Sequence, residues 1–315
     1  MRNYISIALK GLLMGMAEIV PGVSGGTIAF ITGIYERLLN AIKAANPKTA
    51  LLLLKGEFVV FWQKLDGNFL LALLIGMAAG IVIGVTGISW LLDNQPIFIW
   101  SFFFGLIIAS VIYIGRQVSQ WNFLSITLLI IGAVIAFIIT LAAPANGNEA
   151  LWYVFISGAI AISALILPGI SGSFILLLMG MYTYIIPLLK SVLKTFDTSA
   201  LLVIAVFGAG CFTGLMSISR LLSWTFKNYK NNTLALLTGF MMGSLNKIWP
   251  WRIPTNWTTD EHGMMDKVLS EANLLPAQYL ELTGNEPQLF VAIIATITGF
   301  ALVFVLDKFS ISGNK

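Results

Sequence analysis

Two segments of the sequence, PGVSGGT at 21–27 and PGISGS at 168–173, combine proline, glycine and serine in the same order. Proline removes a backbone donor and glycine adds backbone freedom, so each segment is predicted to break a helix. A helix that begins after such a break exposes N–H groups, which favour an anion such as a phosphate or a carboxylate. The predicted breaks are Pro21, Gly22, Pro168 and Gly169, and the predicted anion contacts are Ser24, Gly25, Gly26, Thr27, Ser171, Gly172 and Ser173.

Four charged residues near apolar segments are further candidates for chemistry. Glu18 lies in an apolar arm just before the first break, where it could carry a coupling proton or form a structural salt bridge. Arg37 and Arg220 lie at the ends of apolar segments and are candidates for bidentate contacts with a phosphate. Lys247 belongs to the sequence KIWPWR, which is typical of a membrane interface but could also capture an anionic headgroup.

The composition places these residues in a membrane protein. Of 315 residues, 58% are hydrophobic and 10% are charged, whereas soluble domains carry about 25% charged residues. This excludes a soluble enzyme or a nucleic-acid-binding protein, although the net charge is +4. The single cysteine, Cys211, and the single histidine, His262, leave no disulfide framework, thiolate or histidine metal site, or Ser-His-Asp triad. We therefore expect no catalytic residue, metal or cofactor.

The apolar segments predict an all-α polytopic membrane protein. A membrane-spanning helix needs about 20 mainly apolar residues. Six segments meet that length, and four shorter arms at 5–20, 27–42, 150–167 and 174–189 flank the two breaks as hairpins. The chain is thus predicted to contain a first repeat at 1–146 (hairpin 5–42 and spans 69–92, 97–115 and 123–143) and a second at 147–315 (hairpin 150–189, spans 200–222, 233–249 and 287–306, and outer loop 250–286).

Residue identities at a constant offset indicate that the two halves are copies of one unit. When the second half is aligned with the first, Gly158 aligns with Gly11 and the PGxSG at 168–172 aligns with the PGxSG at 21–25. A weaker alignment further along the chain pairs Gly239 with Gly105. If each hairpin is re-entrant, each unit crosses the membrane an odd number of times, so the repeats are inverted. With both termini in the cytoplasm, most of the 18 Lys and Arg residues then lie on the inner side.

Paired breaks at membrane depth are typical of a transport site. Irregular backbone in hydrocarbon is tolerated only where protein or a watery cavity surrounds it. For one motif alone, the alternative is a tight corner between two helices, with glycine allowing close packing. Its duplication in inverted halves favours a binding site near the midplane of the membrane.

Three stretches of the sequence resemble the bacterial polyprenyl-phosphate (undecaprenyl-phosphate) translocases of the PopT type, a family formerly classed as a domain of unknown function. They are MAEIVPGVSGGTIAFITGIYERLL, LPGISGSFILLLMGMY and SRLLSWTFKNYKNNTLALLTGFMMGSLNKIWPW, whereas 253–286 shows no such likeness. The resemblance implies a flippase of the cytoplasmic membrane that returns undecaprenyl phosphate from the outer to the inner leaflet for cell wall biogenesis. The family pattern falls on Glu18, Pro21, Gly22, Ser24, Gly25, Gly26, Thr27, Arg37, Pro168, Gly169, Ser171, Gly172, Arg220 and Lys247.

Two other classes of protein would need different features in the sequence. A carrier for a small soluble anion would use the same pocket but a closed aqueous path instead of a portal open to lipid. A lipid phosphatase would need a histidine nucleophile or a cluster of metal-binding carboxylates, which the sequence does not offer. The expected partners are a lipid phosphate substrate and membrane lipids, with a homo-oligomer left open and no nucleic acid. The expected mechanism is alternating access around the two hairpins.

Overall fold

The structure, a computed structural model, describes residues 2–20, 22–195, 198–259 and 265–312. Its first half consists of α1 (Arg2–Ala17), α2 (Gly25–Ile31), α3 (Tyr35–Ala44), α4 (Pro47–Leu54), α5 (Phe58–Lys64), α6 (Gly67–Asn94), α7 (Pro96–Gly115) and α8 (Phe123–Leu141). The second half consists of α9 (Leu151–Ile166), α10 (Gly172–Leu178), α11 (Tyr182–Thr195), α12 (Thr198–Asn228), α13 (Lys230–Ser244), a 3₁₀ turn (Leu245–Ile248), β1 (Arg252–Thr259), β2 (Met265–Asn273), α14 (Pro276–Thr283) and α15 (Leu289–Ser312).

Five helices of the described chain, α6, α7, α8, α12 and α15, are long and apolar enough to cross a membrane. This confirms the prediction of an all-α polytopic membrane protein. The sixth predicted span, 233–249, is α13, which has 15 residues and is continued by the 3₁₀ turn to Ile248. Several of its side chains, including those of Leu234, Leu237 and Met241, are buried by protein. The segment 250–286, for which the sequence predicted only a loop, contains the antiparallel pair β1–β2 and α14.

The second arm of each hairpin, predicted at 27–42 and 174–189, is bent and consists of two helices. In the first hairpin this arm consists of α2 and α3. In the second hairpin it consists of α10 and α11, and these two helices meet at an angle of 116°. Each bend contains a glycine in the left-handed region, Gly33 with φ 72° and Gly180 with φ 70°. Most other residues are strained there, so these glycines set the position of the bends.

Corresponding glycines form corresponding interfaces in the two halves. In the first half, Gly76 of α6 lies against the carbonyl oxygen of Ala8 in α1, and in the second half Gly210 of α12 lies against that of Phe155 in α9. A Cβ atom at either glycine would clash with the facing backbone. The other glycines of these two interfaces are Gly11, Gly15, Gly80, Gly84, Gly158 and Gly214.

Two helices pack against helices of the other half: α8 packs on α13, and α15 packs on α7. Gly105 of α7 lies against Thr296 of α15, and Gly239 of α13 lies against Leu129 of α8. The helices α7 and α13 also contact each other in antiparallel orientation. At one end of the pair the Ser119 N–H donates to Asn231 over 3.2 Å, and at the other the rings of Phe104 and Trp249 are 5.4 Å apart. The two halves are therefore interlocked.

The close approach at Gly76 predicts a large effect on stability. Gly76→Ala is expected to lower the free energy of unfolding by about 1–3 kcal/mol, because the methyl group forces α6 away from the backbone of α1. Gly87, on the same helix, is the matched control, since a Cβ atom there meets nothing within 4 Å. Thermal unfolding in detergent would measure both variants. Equal midpoints for Gly76→Ala and Gly87→Ala would contradict the packing described.

Candidate anion site between the two motifs

The structure brings the two motifs into direct contact. Ser24 caps α2 with an extended backbone, and its Oγ donates to the carbonyl oxygen of Leu165 over 2.9 Å. The N–H of Gly169 donates to Thr27 Oγ1 over 3.1 Å, so a residue of the second motif bonds to a residue of the first. The Tyr35 hydroxyl donates to the carbonyl oxygen of Ile166 over 3.1 Å. The ends of α9 and α2 thus meet inside the bundle.

The first N–H groups of α2 have partners within the protein. The Gly25 N–H donates to Glu18 Oε1 over 2.7 Å, and the Gly26 N–H donates to Ser24 Oγ over 3.0 Å. The Thr27 N–H donates to the carbonyl oxygen of Ser24 over 2.9 Å. Ser24 and Thr27 are completely buried. In this conformation the Glu18 carboxylate occupies the place that the sequence analysis gave to a bound anion, and anion binding by these residues stays a prediction.

Glu18 forms no ion pair among the described residues, so the structure offers no cation for the structural salt bridge considered above. Ile19, the next residue, packs against Gly84, well inside α6. Glu18 therefore lies at membrane depth if α6 spans the membrane. Its role as a proton carrier stays a prediction.

The second motif differs from the first in its hydrogen bonds. Ser171 caps α10, and its Oγ accepts the Phe174 N–H over 3.4 Å and lies 3.0 Å from Ser173 Oγ. Gly172 lies against the carbonyl oxygen of Ala161. The cap residues Ser24 and Ser171 thus share an extended backbone conformation. Among the described residues, a hydrogen bond from the motif to a carboxylate is present in the first motif and not in the second.

Glycine is required at the break of both motifs. Gly22 has φ +91° and Gly169 has φ +83°, both in the left-handed region. A Cβ atom at Gly22 would lie 2.9 Å from Lys247 Cγ, and one at Gly169 would lie 2.7 Å from Met241 N. Pro168 lies between the end of α9 at Ile166 and Gly169. Pro21 lies outside the described residues.

A small cavity lies between the motifs and has Lys247 in its lining. Its volume is about 10 Å³, and its lining includes Gly22, Gly169, Ser171, Ser244 and Lys247. Such a volume accommodates about one water molecule. A phosphate group therefore needs an opening of this cavity before it can contact both motifs. Lys247 also lies over the ring of Phe174, with Nζ 4.7 Å from the ring centroid.

Lys247 belongs to a group of three charged residues that we call the β-face triad, Lys247, Glu271 and Arg252. Glu271 Oε2 accepts from Lys247 Nζ over 3.0 Å and from Arg252 Nη1 over 2.9 Å. Arg252 Nη1 also donates to the Lys247 carbonyl oxygen over 2.5 Å, and its guanidinium lies 3.9 Å from the ring centroid of Trp100. Burial lowers the pKa of Arg252, and the Glu271 carboxylate acts in the opposite direction.

Glu271 is a site residue that was not predicted from the sequence, and Arg252 was considered there only as the last residue of KIWPWR. Strand register pairs Glu271 of β2 with Pro254 of β1, two residues from Arg252, so the side chains of Glu271 and Arg252 are diagonal neighbours on one face. The residues 265–273, MDKVLSEAN, show no regular alternation of apolar and polar types, so no pattern in the sequence indicated this strand. Without its register, one carboxylate in a polar segment indicates no particular partner.

Arg37 lies away from the motifs. Its guanidinium makes a bidentate contact with Asp66, over 2.6 Å and 3.0 Å, and lies over the ring of Phe69. Asp66 precedes the first residue of α6, whereas Ile19 packs against Gly84. At about 1.5 Å per residue, Asp66 and Gly84 are about 27 Å apart along the axis of α6. The fork geometry predicted for Arg37 is therefore present with a carboxylate as its partner.

Arg220 lies in a basic cleft, a cavity of about 640 Å³ between the end of α3, the start of α4 and α12. Lys43 and Lys48 line the same cleft together with Asn40 and Asn46, and the residues described there include no carboxylate. A second cavity, of about 540 Å³, contains Tyr35 and Arg116 in its lining. Tyr35 itself is buried, and its hydroxyl bonds to the carbonyl oxygen of Ile166 at the end of α9.

Comparison with known proteins identifies the family. The chain is 45% identical over 308 residues to a polyprenyl-phosphate transporter of Vibrio cholerae, a match covering 98% of this chain and 97% of that protein. It is 32% identical over 267 residues to a polyprenyl-phosphate transporter of Staphylococcus aureus, covering 81% and 88% of the two chains. No solved structure matches the chain. Residues 14–266 match the family model described as VCA0040-like, undecaprenyl phosphate translocase-like, and the chain therefore belongs to this family of transporters, which are not enzymes.

Proposed function

We propose that the protein moves undecaprenyl phosphate from the outer to the inner leaflet of the bacterial cytoplasmic membrane by alternating access around the two motifs. The observation that carries this proposal is the contact between the motifs, with Lys247 beside them. Moving a bare phosphate through hydrocarbon is prohibitively costly, because its charge loses water without a replacement. Hydroxyl groups, N–H groups and a cation replace that water, while the isoprenoid tail stays in lipid.

Inverted repeats would place equivalent gates on the two sides of this site. The recurrence of the glycine interfaces in both halves supports the repeat boundaries 1–146 and 147–315. The antiparallel contact of α7 with α13, which are equivalent in the aligned repeats, supports an inverted arrangement. The hairpins 5–42 and 150–189 are then re-entrant, and their motifs approach one another from opposite sides.

The cavities on the two sides of the membrane differ in volume, and this difference supports an inward-facing state. The side with β1 and β2 is assigned to the outside, where the cavity at the motifs is about 10 Å³ and Lys247 in its lining is paired with Glu271. The cavities of about 540 Å³ and 640 Å³ lie toward α3 and α4, on the side assigned to the cytoplasm. The basic cleft with Arg220 would receive the phosphate as it leaves for the inner leaflet.

Reconstitution with two substrates tests this function against a carrier for soluble anions. Purified protein in liposomes is expected to move undecaprenyl phosphate between leaflets and to leave a short-chain phosphate without the isoprenoid tail on its original side. Movement of the short-chain phosphate alone would support the soluble-anion carrier and contradict the proposal. Liposomes without protein give the background rate of spontaneous flipping.

Cysteine labelling tests the assigned orientation. In a variant with Cys211 replaced by alanine, a cysteine at Lys55 is expected to be protected from an impermeant reagent added to whole cells, and a cysteine at Glu281 is expected to react. Both positions are exposed in the structure, so burial does not limit the reaction. The reverse pattern would place β1 and β2 in the cytoplasm and overturn the direction of transport proposed here.

A further inference from the structure

The β-face triad has an unusual balance of charge. Two cations, Lys247 and Arg252, share one oxygen of a single carboxylate, Glu271 Oε2. Their side chains are 16% and 6% exposed, so water screens the excess positive charge only weakly. Cations held together and out of water require compensation by anions. Among the described residues, Glu271 is the one carboxylate paired with these cations, so one negative charge faces two positive charges.

A phosphate monoester fits this balance better than a carboxylate does. It carries about −1.5 to −2 charges at neutral pH and has three acceptor oxygens. Hydrogen bonds between Arg or Lys and phosphate are strong because both partners are ionised. Neutral donors also lie near, since Ser171 and Ser244 share the lining of the small cavity with Lys247.

Residues beside the triad hold β1 and β2 in place without using the two cations. The Asn273 side chain donates to Asn246 over 2.8 Å, and the Trp249 indole N–H donates to the carbonyl oxygen of Leu274 over 2.8 Å. The Trp251 indole N–H donates to the carbonyl oxygen of Pro287 over 2.8 Å. With these bonds intact, the Glu271 side chain can leave the cations by rotation while the strand that carries it stays attached.

We propose that Lys247 and Arg252 form a binding site for the phosphate monoester headgroup on the outer side, and that Glu271 fills this site as an intramolecular competitor until the substrate displaces it. The inference rests on the proposed function for the identity of the substrate. It adds Arg252 as a headgroup contact and gives Glu271 the role of closing the path to the two motifs when no lipid phosphate is present. A ligand with one negative charge competes poorly with Glu271, whereas a phosphate monoester competes well, so the exchange also selects the substrate.

Binding of inorganic phosphate to the full-length protein in detergent tests this competition. Phosphate is the probe, thermal unfolding followed by tryptophan fluorescence is the measurement, and chloride at equal ionic strength is the salt control. In Glu271→Gln we expect half-saturation at a phosphate concentration about tenfold lower than in the wild type, because the competing charge is gone. Glu281→Gln, which removes an exposed carboxylate of α14, is expected to behave as the wild type.

A double variant keeps the test decisive. Lys247→Gln combined with Glu271→Gln is expected to lose the tightened binding, because one of the two cations is missing. If Glu271→Gln unfolds when purified without phosphate, we expect purification in phosphate to restore it, since phosphate then neutralises the unpaired cations. Equal phosphate dependence in Glu271→Gln and the wild type would overturn the inference, as would tightened binding that persists in the double variant or a failure of phosphate to restore the fold.

Failure of this inference and failure of the proposed function give different results. Tightened phosphate binding in Glu271→Gln, together with no movement of undecaprenyl phosphate by the wild type in liposomes, would keep the anion site and remove the transport function. Movement of undecaprenyl phosphate by the wild type, together with unchanged phosphate binding in Glu271→Gln, would remove only the role of the β-face triad.

Discussion

Lys247→Gln is expected to reduce the movement of undecaprenyl phosphate in liposomes about a hundredfold. The Lys247 side chain is the cation in the lining of the small cavity between the two motifs, and it also contacts Glu271. A hydrogen bond to a charged group contributes about 1.5–3 kcal/mol, and a factor of ten corresponds to about 1.4 kcal/mol. Glutamine keeps a hydrogen-bond donor of similar length, so the loss reports the missing charge.

The control for Lys247→Gln is Lys55→Gln. Lys55 is exposed, follows the last residue of α4 and lies in the lining of none of the cavities described above. Its replacement is expected to leave the flipping rate within about twofold of the wild type, as for most surface substitutions. Thermal unfolding of both variants separates a loss of transport from a loss of the fold. Wild-type flipping by a folded Lys247→Gln protein would remove Lys247 from the transport site.

Glu18→Gln is expected to make transport insensitive to a pH difference across the membrane. The Glu18 carboxylate accepts the Gly25 N–H over 2.7 Å, and a glutamine side-chain oxygen can accept the same bond. The change therefore keeps the local structure and removes the group that could take up and release a proton at the first motif. In the wild type, we expect an acidic outer compartment to accelerate inward movement of the lipid phosphate.

Flipping rates at several outer pH values, with the inner pH held constant, measure this dependence. Glu57→Gln is the control, because Glu57 is exposed just before α5 and lies in the lining of none of the cavities described above. That variant should keep the response of the wild type. A pH response of Glu18→Gln equal to that of the wild type would exclude Glu18 as the coupling residue.

The motifs could be predicted from the sequence because few arrangements satisfy them. The proline and glycine of PGxSG end a helix, and Gly22 and Gly169 both adopt the left-handed backbone conformation. The long apolar segments likewise fixed the bounds of the membrane-spanning helices closely, as at α7 and α8. The bends at Gly33 and Gly180 were missed because a single glycine is compatible with a continuous helix.

The partners of the charged residues could not be predicted in the same way. The chemistry of Arg37 indicated a bidentate contact with an anion, but its partner Asp66 precedes α6 and is brought close only by the packing of α3 on that helix. Glu271 reaches Lys247 through the register of β1 and β2, which depends on the docking of the whole segment. Long-range placement of this kind follows from tertiary packing, not from local sequence pattern.

The packing of α7 on α15 and of α8 on α13, across the two halves, has a consequence for biogenesis. The glycine faces of α7 and α8 meet α15 and α13, which a ribosome synthesises much later. A nascent chain that has inserted only its N-terminal part therefore holds these faces against lipid, where they find no close-fitting neighbour. Membrane insertion and final folding are thus separated in time, and a fragment ending near residue 146 should be a substrate for quality-control proteases even though its own hydrophobic segments are complete.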